Sequence, residues 1–266
     1  MFGRHRKLLI GVVHLQPLPG SPRWGGDLEA VLRRALEDAR AYERGGAHAL
    51  VVENFGDVPF TKGNVGPETV AAMAAAGRAV RAEIGLPLGF NVLRNDARAA
   101  LGLCAACGGT FIRVNVHTGA MLTDQGLIEG DAYATLRYRR QLCPEVRILA
   151  DVHVKHAVPI GNWSLGNSAR DAVHRGLADA LIISGTGTGL AADMADLDQV
   201  RAACPTANLL VGSGVTLKNI GQYLPLADGF IVGTSLKRGG DITNRVDEKR
   251  VAALVEAMGN PTTNRH

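Results

Sequence analysis

The chain has 266 residues, with 46% hydrophobic and 20% charged residues and a net charge of +4. This length is enough for one soluble domain with a deep core, and the small charge, without a basic stripe interleaved with aromatic residues, argues against nucleic-acid binding. No apolar run approaches the roughly 20 residues that span a bilayer, and residues 8–15 lack the cleavage site of a signal peptide, so we expect no membrane insertion and a cytoplasmic protein.

Eight short apolar segments alternate with helical patterns along the chain. The segments predicted as strands cover residues 7–15, 49–54, 87–93, 110–116, 147–155, 180–185, 208–215 and 229–236. Between them, apolar residues at spacings of three and four predict helices, as at 27–44, 67–84, 96–107 and 131–142. Strands that alternate with helices of this length pair in parallel through right-handed crossovers. We therefore predict an α/β fold, a single (β/α)8 TIM barrel, with a doubly wound open sheet as the alternative.

The connections of the predicted barrel differ in length between its two ends. Turns from helix to strand are short, whereas the loops that leave several strands are long, at 14–27, 54–67, 117–130 and 156–168. Long loops in compact domains are usually functional, and barrel enzymes build their active sites at this end. Outside the barrel we expect a basic N-terminal tail at 1–6 and a C-terminal tail at 259–266.

The four cysteines indicate free thiols. Cys104 and Cys107 have C-x-x-C spacing but lie in a predicted helix, and Cys143 and Cys204 each stand alone before a proline. A zinc site would need a second clustered pair. We therefore expect buried free thiols in a reducing compartment.

Two glycine-rich segments follow the predicted seventh and eighth strands. Their residues are Gly212, Ser213 and Gly214 in the first segment, and Gly233, Thr234 and Ser235 in the second. Glycine lets the backbone approach an anion closely, and the loops after strands seven and eight are the usual phosphate site of this fold. We predict that both segments bind the phosphate of a small ligand. A third segment at 184–189, which begins with Ser184 and Gly185, extends the predicted ligand site.

Polar side chains occur near the C-terminal ends of the predicted strands, although the interior of a closed barrel should be apolar. In the predicted strand 147–155, Asp151, His153 and Lys155 alternate, so a regular strand points all three to the lumen or its mouth. We predict Asp151 as the general base or as a ligand of substrate hydroxyls, with Glu53 as a second acid–base group. Lys155 is predicted to neutralise negative charge or to form a Schiff base, and His153 completes the predicted catalytic group.

Other polar positions are predicted to bind the substrate. They are His14, Asn91, Arg113, Asn115, Ser184 and Gly185. Arg113 shares the parity of Asn115 and pairs with Glu53, Asp151 or the substrate. No cofactor is required, although a divalent metal on Asp151 and His153, with Glu53 or His14, is an alternative. A further alternative is that these polar side chains only hydrogen-bond to one another and close the top of the barrel.

Long segments of the chain resemble the motifs of the BtpA family. They are GVVHLQPLPGSP at 11–22, VENFGDVPF at 52–60, FIRVNVHTGA at 111–120 and ADVHVKHA at 150–157, with VGSGVT at 211–216 and IVGTSLK at 231–237 near the end. The family name comes from a factor for photosystem I biogenesis in cyanobacteria, but similar proteins occur in organisms without photosynthesis. The resemblance therefore implies a phosphate-binding barrel and supplies no reaction.

Two functions are compatible with these patterns. The first is an enzyme that acts on a sugar phosphate or nucleotide-like compound by isomerisation, by retro-aldol or lyase chemistry, or by cleavage of a ribosyl bond. The second is a non-catalytic assembly or regulatory factor that kept the ligand site. The intact set of polar lumen residues favours the enzyme, and a homo-oligomer is the expectation from base rates.

Overall fold

The computed structural model describes residues 7–161, 163–185, 187 and 189–259. Numbered in chain order, the strands of this part of the chain are β1 Leu8–His14, β2 Ala49–Glu53, β3 Leu88–Asn91, β4 Phe111–Val114, β5 Ala120–Thr123, β6 Gly126–Glu129, β7 Arg147–Asp151, β8 Ala157–Pro159, β9 Ala180–Ile183, β10 Leu209–Val211 and β11 Gly229–Val232. The ring β1–β11–β10–β9–β7–β4–β3–β2 is a closed barrel of parallel strands. Because β1 pairs with both β2 and β11, the predicted barrel is confirmed and the open sheet is excluded.

Helices follow the barrel strands and cover the ring. The described helices are α1 Leu28–Arg44, α2 Pro67–Glu83, α3 Ala97–Cys107, α4 Ala132–Leu142, α5 Leu165–His174, α6 Met194–Ala203, α7 Ile220–Tyr223 and α8 Glu248–Gly259. Asp27, Asp96 and Asp131 each accept a hydrogen bond from a backbone N–H in the first turn of the helix that follows. Such caps satisfy donors that a helix start leaves unpaired, which explains why three helices begin close to the predicted positions.

The barrel interior is filled by apolar side chains below its C-terminal mouth. This cluster consists of Ile10, Val12, Ala49, Val51, Phe111, Leu149, Ala180, Ile182, Leu210 and Ile231. Gly89 makes room for its largest member, because a Cβ at Gly89 would lie 2.3 Å from the Phe111 ring. The barrel is therefore a packed core rather than a pore, and any ligand site lies above it.

Strand β7 ends earlier than predicted. The alternation at 147–155 predicts a strand through Lys155, but β7 stops at Asp151. His153 has a φ of 51°, in the left-handed region, so the chain turns there instead of continuing as a strand. The prediction that Asp151, His153 and Lys155 share one face as a regular strand is therefore wrong.

Two of the long loops predicted after barrel strands contain short strands of their own. Strands β5 and β6 form a hairpin in the loop after β4, and β8, in the loop after β7, pairs antiparallel with β5. Met121 and Ile128 on the inner face pack with Val116 and Val154 against the barrel mouth. The small sheet β6–β5–β8 therefore joins the two loops into one unit.

Helix α8 is the last element of the described part of the chain. Gly259, expected in the C-terminal tail, is the last residue of α8. The expected tails at 1–6 and 260–266 lie outside the described residues. No described helix combines the length and apolar composition that a bilayer crossing requires.

The expectation of free thiols is confirmed. All four cysteines are unpaired, and Cys104, Cys107 and Cys204 are buried while Cys143 is half-buried.

Candidate active site

The register of the ring brings polar residues to one level at the C-terminal ends of neighbouring strands. His14 at the end of β1 is in register with Glu53 of β2, and Glu53 is in register with Asn91 of β3. Asp151 ends β7, and Ser184 directly follows β9. Polar side chains therefore lie at the barrel mouth, at the C-terminal ends of these strands, as predicted.

Asp151 is the centre of a buried hydrogen-bond network. Arg113 donates through Nε and Nη2 to the two carboxylate oxygens, each at 2.8 Å. Asn115 Nδ2 donates to Oδ2 at 3.2 Å, and Ser184 Oγ donates to Oδ1 at 3.3 Å. The side chains of Arg113 and Asp151 are 3% and 0% exposed. A carboxylate that already accepts four hydrogen bonds has little capacity left to take a substrate proton, so this arrangement does not favour Asp151 as the general base.

The charge of Arg113 is fixed by this pairing. Burial by itself lowers the pKa of the Arg113 guanidinium, but the adjacent Asp151 carboxylate outweighs it and raises that pKa above its usual value. Of the three partners that the sequence left open for Arg113, the structure shows Asp151.

Asn91 supports the network from a fully buried position. Its Nδ2 donates to the backbone oxygen of Arg113 at 3.1 Å and to Oδ1 of Asn115 at 3.0 Å. Asn91 is only 1% exposed, and its Oδ1 is buried without a partner in the described part of the chain. Asn91 therefore orients Asn115, and the substrate contact predicted for it has no exposed surface through which to act.

A cavity of about 760 Å³ opens beside this network. Its wall combines predicted catalytic and substrate-binding side chains with both glycine-rich segments, namely His14, Glu53, Arg113, Lys155, Gly212, Ser213, Gly214, Gly233, Thr234 and Ser235. The Glu53 carboxylate makes no hydrogen bond to any described residue, and neither does Lys155 Nζ. Glu53 and Lys155 are therefore two acid–base groups of the cavity that no described residue holds in a hydrogen bond.

The electrostatic surroundings of Lys155 disfavour its protonated form. Burial lowers the pKa of the Lys155 ammonium, and the charge of Arg113 lowers it further. Glu53 and Asp151 act in the opposite direction without cancelling the shift. Lys155 therefore has a larger neutral fraction near neutral pH than an exposed lysine.

The hydroxyl of Ser213 is used to join two loops. Its Oγ accepts a hydrogen bond from the Gly185 N–H at 2.8 Å and donates to the Leu190 oxygen at 3.1 Å. A Cβ at Gly185 or Gly214 would lie 2.3 or 2.2 Å from that same oxygen. The loops after β9 and β10 are thus packed together around Leu190. Thr186 and Thr188 of the predicted third segment lie outside the described residues.

The second glycine-rich segment keeps one hydroxyl available. Ser235 Oγ donates to the Val215 oxygen at 2.6 Å, whereas the Thr234 hydroxyl has no hydrogen bond to the described residues. The backbone N–H groups of Ser213, Gly214, Thr234 and Ser235 likewise have no acceptor within the described part. The two segments therefore present unpaired amide donors and one threonine hydroxyl at the cavity.

His14 closes one side of the cavity as a neutral ring. Its Nδ1 is buried without a partner among the described residues, and its ring packs edge-on against Phe55 with the centroids 4.8 Å apart. Burial lowers the pKa of His14 well below its usual value, and the charges of Lys237 and Lys155 lower it further. The ring therefore faces the cavity as a neutral imidazole near pH 7.

This environment of His14 predicts a loss of stability in mild acid. Below the ordinary histidine pKa of about 6.5, His14 becomes protonated in the unfolded chain, whereas it stays neutral in the folded chain. The free energy of unfolding should therefore be highest above that pH and fall by up to ~1.4 kcal/mol per pH unit below it on account of His14. Urea unfolding at about pH 7.5 and about pH 5 should show a smaller loss in His14→Phe, while His174→Phe, a change on the exposed face of α5, keeps the wild-type loss. An identical loss in wild type and His14→Phe would contradict the assignment.

His153 lies outside the cavity and does not join Lys155. Its Nε2 is 2.9 Å from Ser168 Oγ, and it lines a separate cavity of about 360 Å³ beneath the small sheet, together with Asn115 and Asp151. No group of three or more His, Cys, Asp or Glu residues in the described chain is placed to hold a metal ion. Because Asp151 and His153 are bound to other protein groups, their arrangement does not fit the metal site considered from the sequence.

Comparison with known proteins identifies the family of this barrel. A model described as the BtpA family matches residues 5–260. The chain belongs to the BtpA family. It is 49% identical over 250 residues to the photosystem I biogenesis protein BtpA of Synechocystis, with 94% of this chain and 87% of the relative covered. It is also 47% identical to an uncharacterized protein of Pyrococcus furiosus, with 94% of each chain covered.

Solved structures resemble this BtpA-family chain in fold. Phosphoribosyl anthranilate isomerase from Thermus thermophilus superimposes with a TM-score of 0.56, covering 95% of this chain and 98% of the isomerase. The sequence identity is 14%, so this likeness shows the barrel alone.

Two charged residues of the BtpA-family site were not predicted from the sequence. Arg94, 4% exposed, donates from Nη2 to the Lys155 backbone oxygen at 2.6 Å and so holds the turn that carries Lys155. Lys237, 1% exposed, forms an ion pair of 3.0 Å with Asp38 of α1 and anchors the chain directly after the second glycine-rich segment. A cation two or three residues beyond a strand end or a glycine-rich segment is the signal that could have found both.

Proposed function

We propose that this chain is an enzyme acting on a small phosphorylated substrate, a sugar phosphate or a nucleotide-like compound. The observation that carries the proposal is the single cavity that combines both glycine-rich segments with Glu53 and Lys155. The phosphate occupies the amides of the two segments, and the reacting part of the substrate lies against Glu53, Lys155 and His14. The volume of about 760 Å³ is within the range of small-molecule sites.

The charge balance of the site supports an anionic ligand. Arg94, Arg113 and Lys155 bring three basic groups to the neighbourhood of two carboxylates, Glu53 and Asp151. Backbone N–H groups aimed at a cavity add partial positive charge. The likeness in fold to an isomerase whose name describes a phosphoribosyl compound is consistent with such a ligand.

The acid–base roles in this proposal differ from those predicted from the sequence. We assign proton transfer to Glu53, because its carboxylate is uncommitted, and we assign to Asp151 the fixing of Arg113 and Asn115. Isomerisation, retro-aldol or lyase chemistry, and ribosyl-bond cleavage all remain compatible with a carboxylate beside a lysine. No cofactor is invoked in the proposal, and the predicted homo-oligomer stays a prediction.

The phosphate site is tested by removing the hydroxyl of Thr234, which has no hydrogen bond to the described residues. Thr234→Val should weaken binding of inorganic phosphate or of a phosphorylated ligand by about 1.5–3 kcal/mol, roughly a tenfold to hundredfold rise in Kd, because a hydrogen bond to a charged group is lost. Isothermal calorimetry measures Kd, and thermal unfolding checks that the variant is folded. Thr110→Val, at the opposite end of the barrel, is the matched control and should leave Kd unchanged. Equal Kd values for wild type and Thr234→Val would show that the Thr234 hydroxyl does not bind the phosphate.

The second candidate function is that of a non-catalytic assembly factor. It is favoured by the name of the cyanobacterial relative and by one exposed apolar row, formed where Leu122 of β5 pairs with Leu127 and Val158 on its two neighbours. Thermal-shift screening with phosphosugars and nucleotides separates the two functions. Binding followed by turnover supports the enzyme, whereas binding without turnover of any bound compound supports the assembly factor.

A further inference from the structure

Lys155 combines a fixed backbone with a free amine. The Arg94 guanidinium holds its backbone oxygen at 2.6 Å, whereas its Nζ forms no ion pair or hydrogen bond with the described residues. The side chain lines the same cavity as the two glycine-rich segments and Glu53. A lysine used only for structure would normally be paired, since an unpaired buried charge is costly.

The charged and titratable groups around this amine come from five strands or the loops that follow them. Arg113 on β4 and Arg94 after β3 repel a charged ammonium, while Glu53 on β2 and Asp151 on β7 attract it. His14 on β1 contributes no charge near neutral pH, because burial lowers its pKa. The Asp151 carboxylate is already paired with Arg113, which leaves Glu53 as the uncommitted partner for a proton.

We propose that Lys155 is a covalent nucleophile and that the substrates of this site are phosphorylated aldehydes or ketones. This inference rests on the proposed function, because it needs a phosphate on the glycine-rich segments to hold the substrate carbonyl in the cavity that Lys155 lines.

The covalent step balances with groups of the site alone. Glu53 takes a proton from the Lys155 ammonium, and the neutral amine adds to the carbonyl carbon, so that a C–N bond forms and the C=O π electrons move onto the oxygen. The newly bonded nitrogen then loses one proton, which passes to this alkoxide and makes it a hydroxyl. The protonated Glu53 then gives its proton to that hydroxyl, which leaves as water. The products are a protonated imine on Lys155, one water molecule and the original Glu53 carboxylate.

Pyridoxal phosphate and pyridoxine phosphate form a matched pair of probes. The two share a ring and a phosphate, but only the first carries an aldehyde. With wild-type protein, pyridoxal phosphate should give an imine absorbance band, and borohydride reduction followed by peptide mass spectrometry should place the adduct on Lys155. The initial rate of modification should exceed that of surface lysines by roughly tenfold for each unit by which the amine pKa is lowered.

Substitutions at two lysines of the same cavity make the test specific. Lys155→Met and Lys155→Arg should both lose the adduct, while Lys218→Met, which changes an exposed lysine at the cavity rim, should keep it. Thermal unfolding of each variant checks the fold, and Lys155→Arg preserves the positive charge if Lys155→Met proves unstable. Reduced adducts on Lys218 or Lys249 with none on Lys155 would overturn the inference.

The same probes separate failure of this inference from failure of the proposed function. Stabilisation by pyridoxine phosphate or inorganic phosphate without any adduct on Lys155 overturns the nucleophile and leaves the phosphate site standing. No stabilisation by either compound, together with no adduct, overturns both.

Discussion

Asp151→Asn is expected to lower the free energy of unfolding by about 3–5 kcal/mol, because it leaves the Arg113 guanidinium buried without its counter-charge. Asparagine has the shape of aspartate, so the loss reports the charge and its hydrogen bonds rather than a cavity. Urea unfolding followed by circular dichroism at about pH 7 measures the difference.

Two further variants make the result for Asp151 interpretable. Glu83→Gln removes one partner of the exposed Arg40–Glu83 pair and should cost no more than about 1 kcal/mol. Arg113→Met combined with Asp151→Leu removes both buried charges and should be more stable than Asp151→Asn alone. A loss in Asp151→Asn no larger than in Glu83→Gln would show that the buried pair does not hold the mouth of the barrel together.

Glu53→Gln is expected to reduce kcat by about 10²- to 10⁴-fold on any phosphorylated compound that the protein turns over, because a general acid–base group contributes about that much. Binding of inorganic phosphate should change little, since the phosphate site is built from other residues. Steady-state kinetics gives kcat, and calorimetry gives the Kd of phosphate.

The control for this variant is Glu129→Gln on the exposed face of β6, which should retain wild-type kcat. Full activity in Glu53→Gln would show that Glu53 is not the general base and would leave Asp151 and Lys155 as the candidates. A large rise in the phosphate Kd of Glu53→Gln would instead indicate that Glu53 shapes the site rather than transferring protons.

The order of strands and helices was predictable from the sequence because the barrel strands are short apolar runs and several of the helices that follow them begin at a side-chain cap. Asp27, Asp96 and Asp131 mark helix starts by a local interaction, and local interactions can be seen in sequence. The two glycine-rich segments were found for the same reason, since they directly follow the last two barrel strands.

The details of the site depend on geometry that a pattern does not contain. Alternation placed His153 on the side of Lys155, but the positive φ of His153 turns the chain, and nothing in a valine–histidine–valine run indicates that turn. The partner of Arg113 depends on strand register, which brought Asp151 rather than Glu53 within hydrogen-bond distance.

Hydroxyl residues in the glycine-rich segments were also only partly predictable. Ser213 and Ser235 have the right residue type for phosphate binding, but their Oγ atoms bond to the backbone at Leu190 and Val215. Loop packing decides whether a hydroxyl bonds to a nearby backbone carbonyl or is left for a ligand. Only the structure therefore shows that the Thr234 hydroxyl, unlike those of Ser213 and Ser235, has no hydrogen bond to a described residue.

The pairing of β5 with β8 links two exits of the barrel that lie far apart in the chain. A change of length within β5 or β8 would shift the hydrogen-bond register between them, so the conformations of the two loops are coupled. A new shape of this side of the mouth would then need coordinated replacement of both loops, whereas the glycine-rich side does not share that sheet and is independent of it.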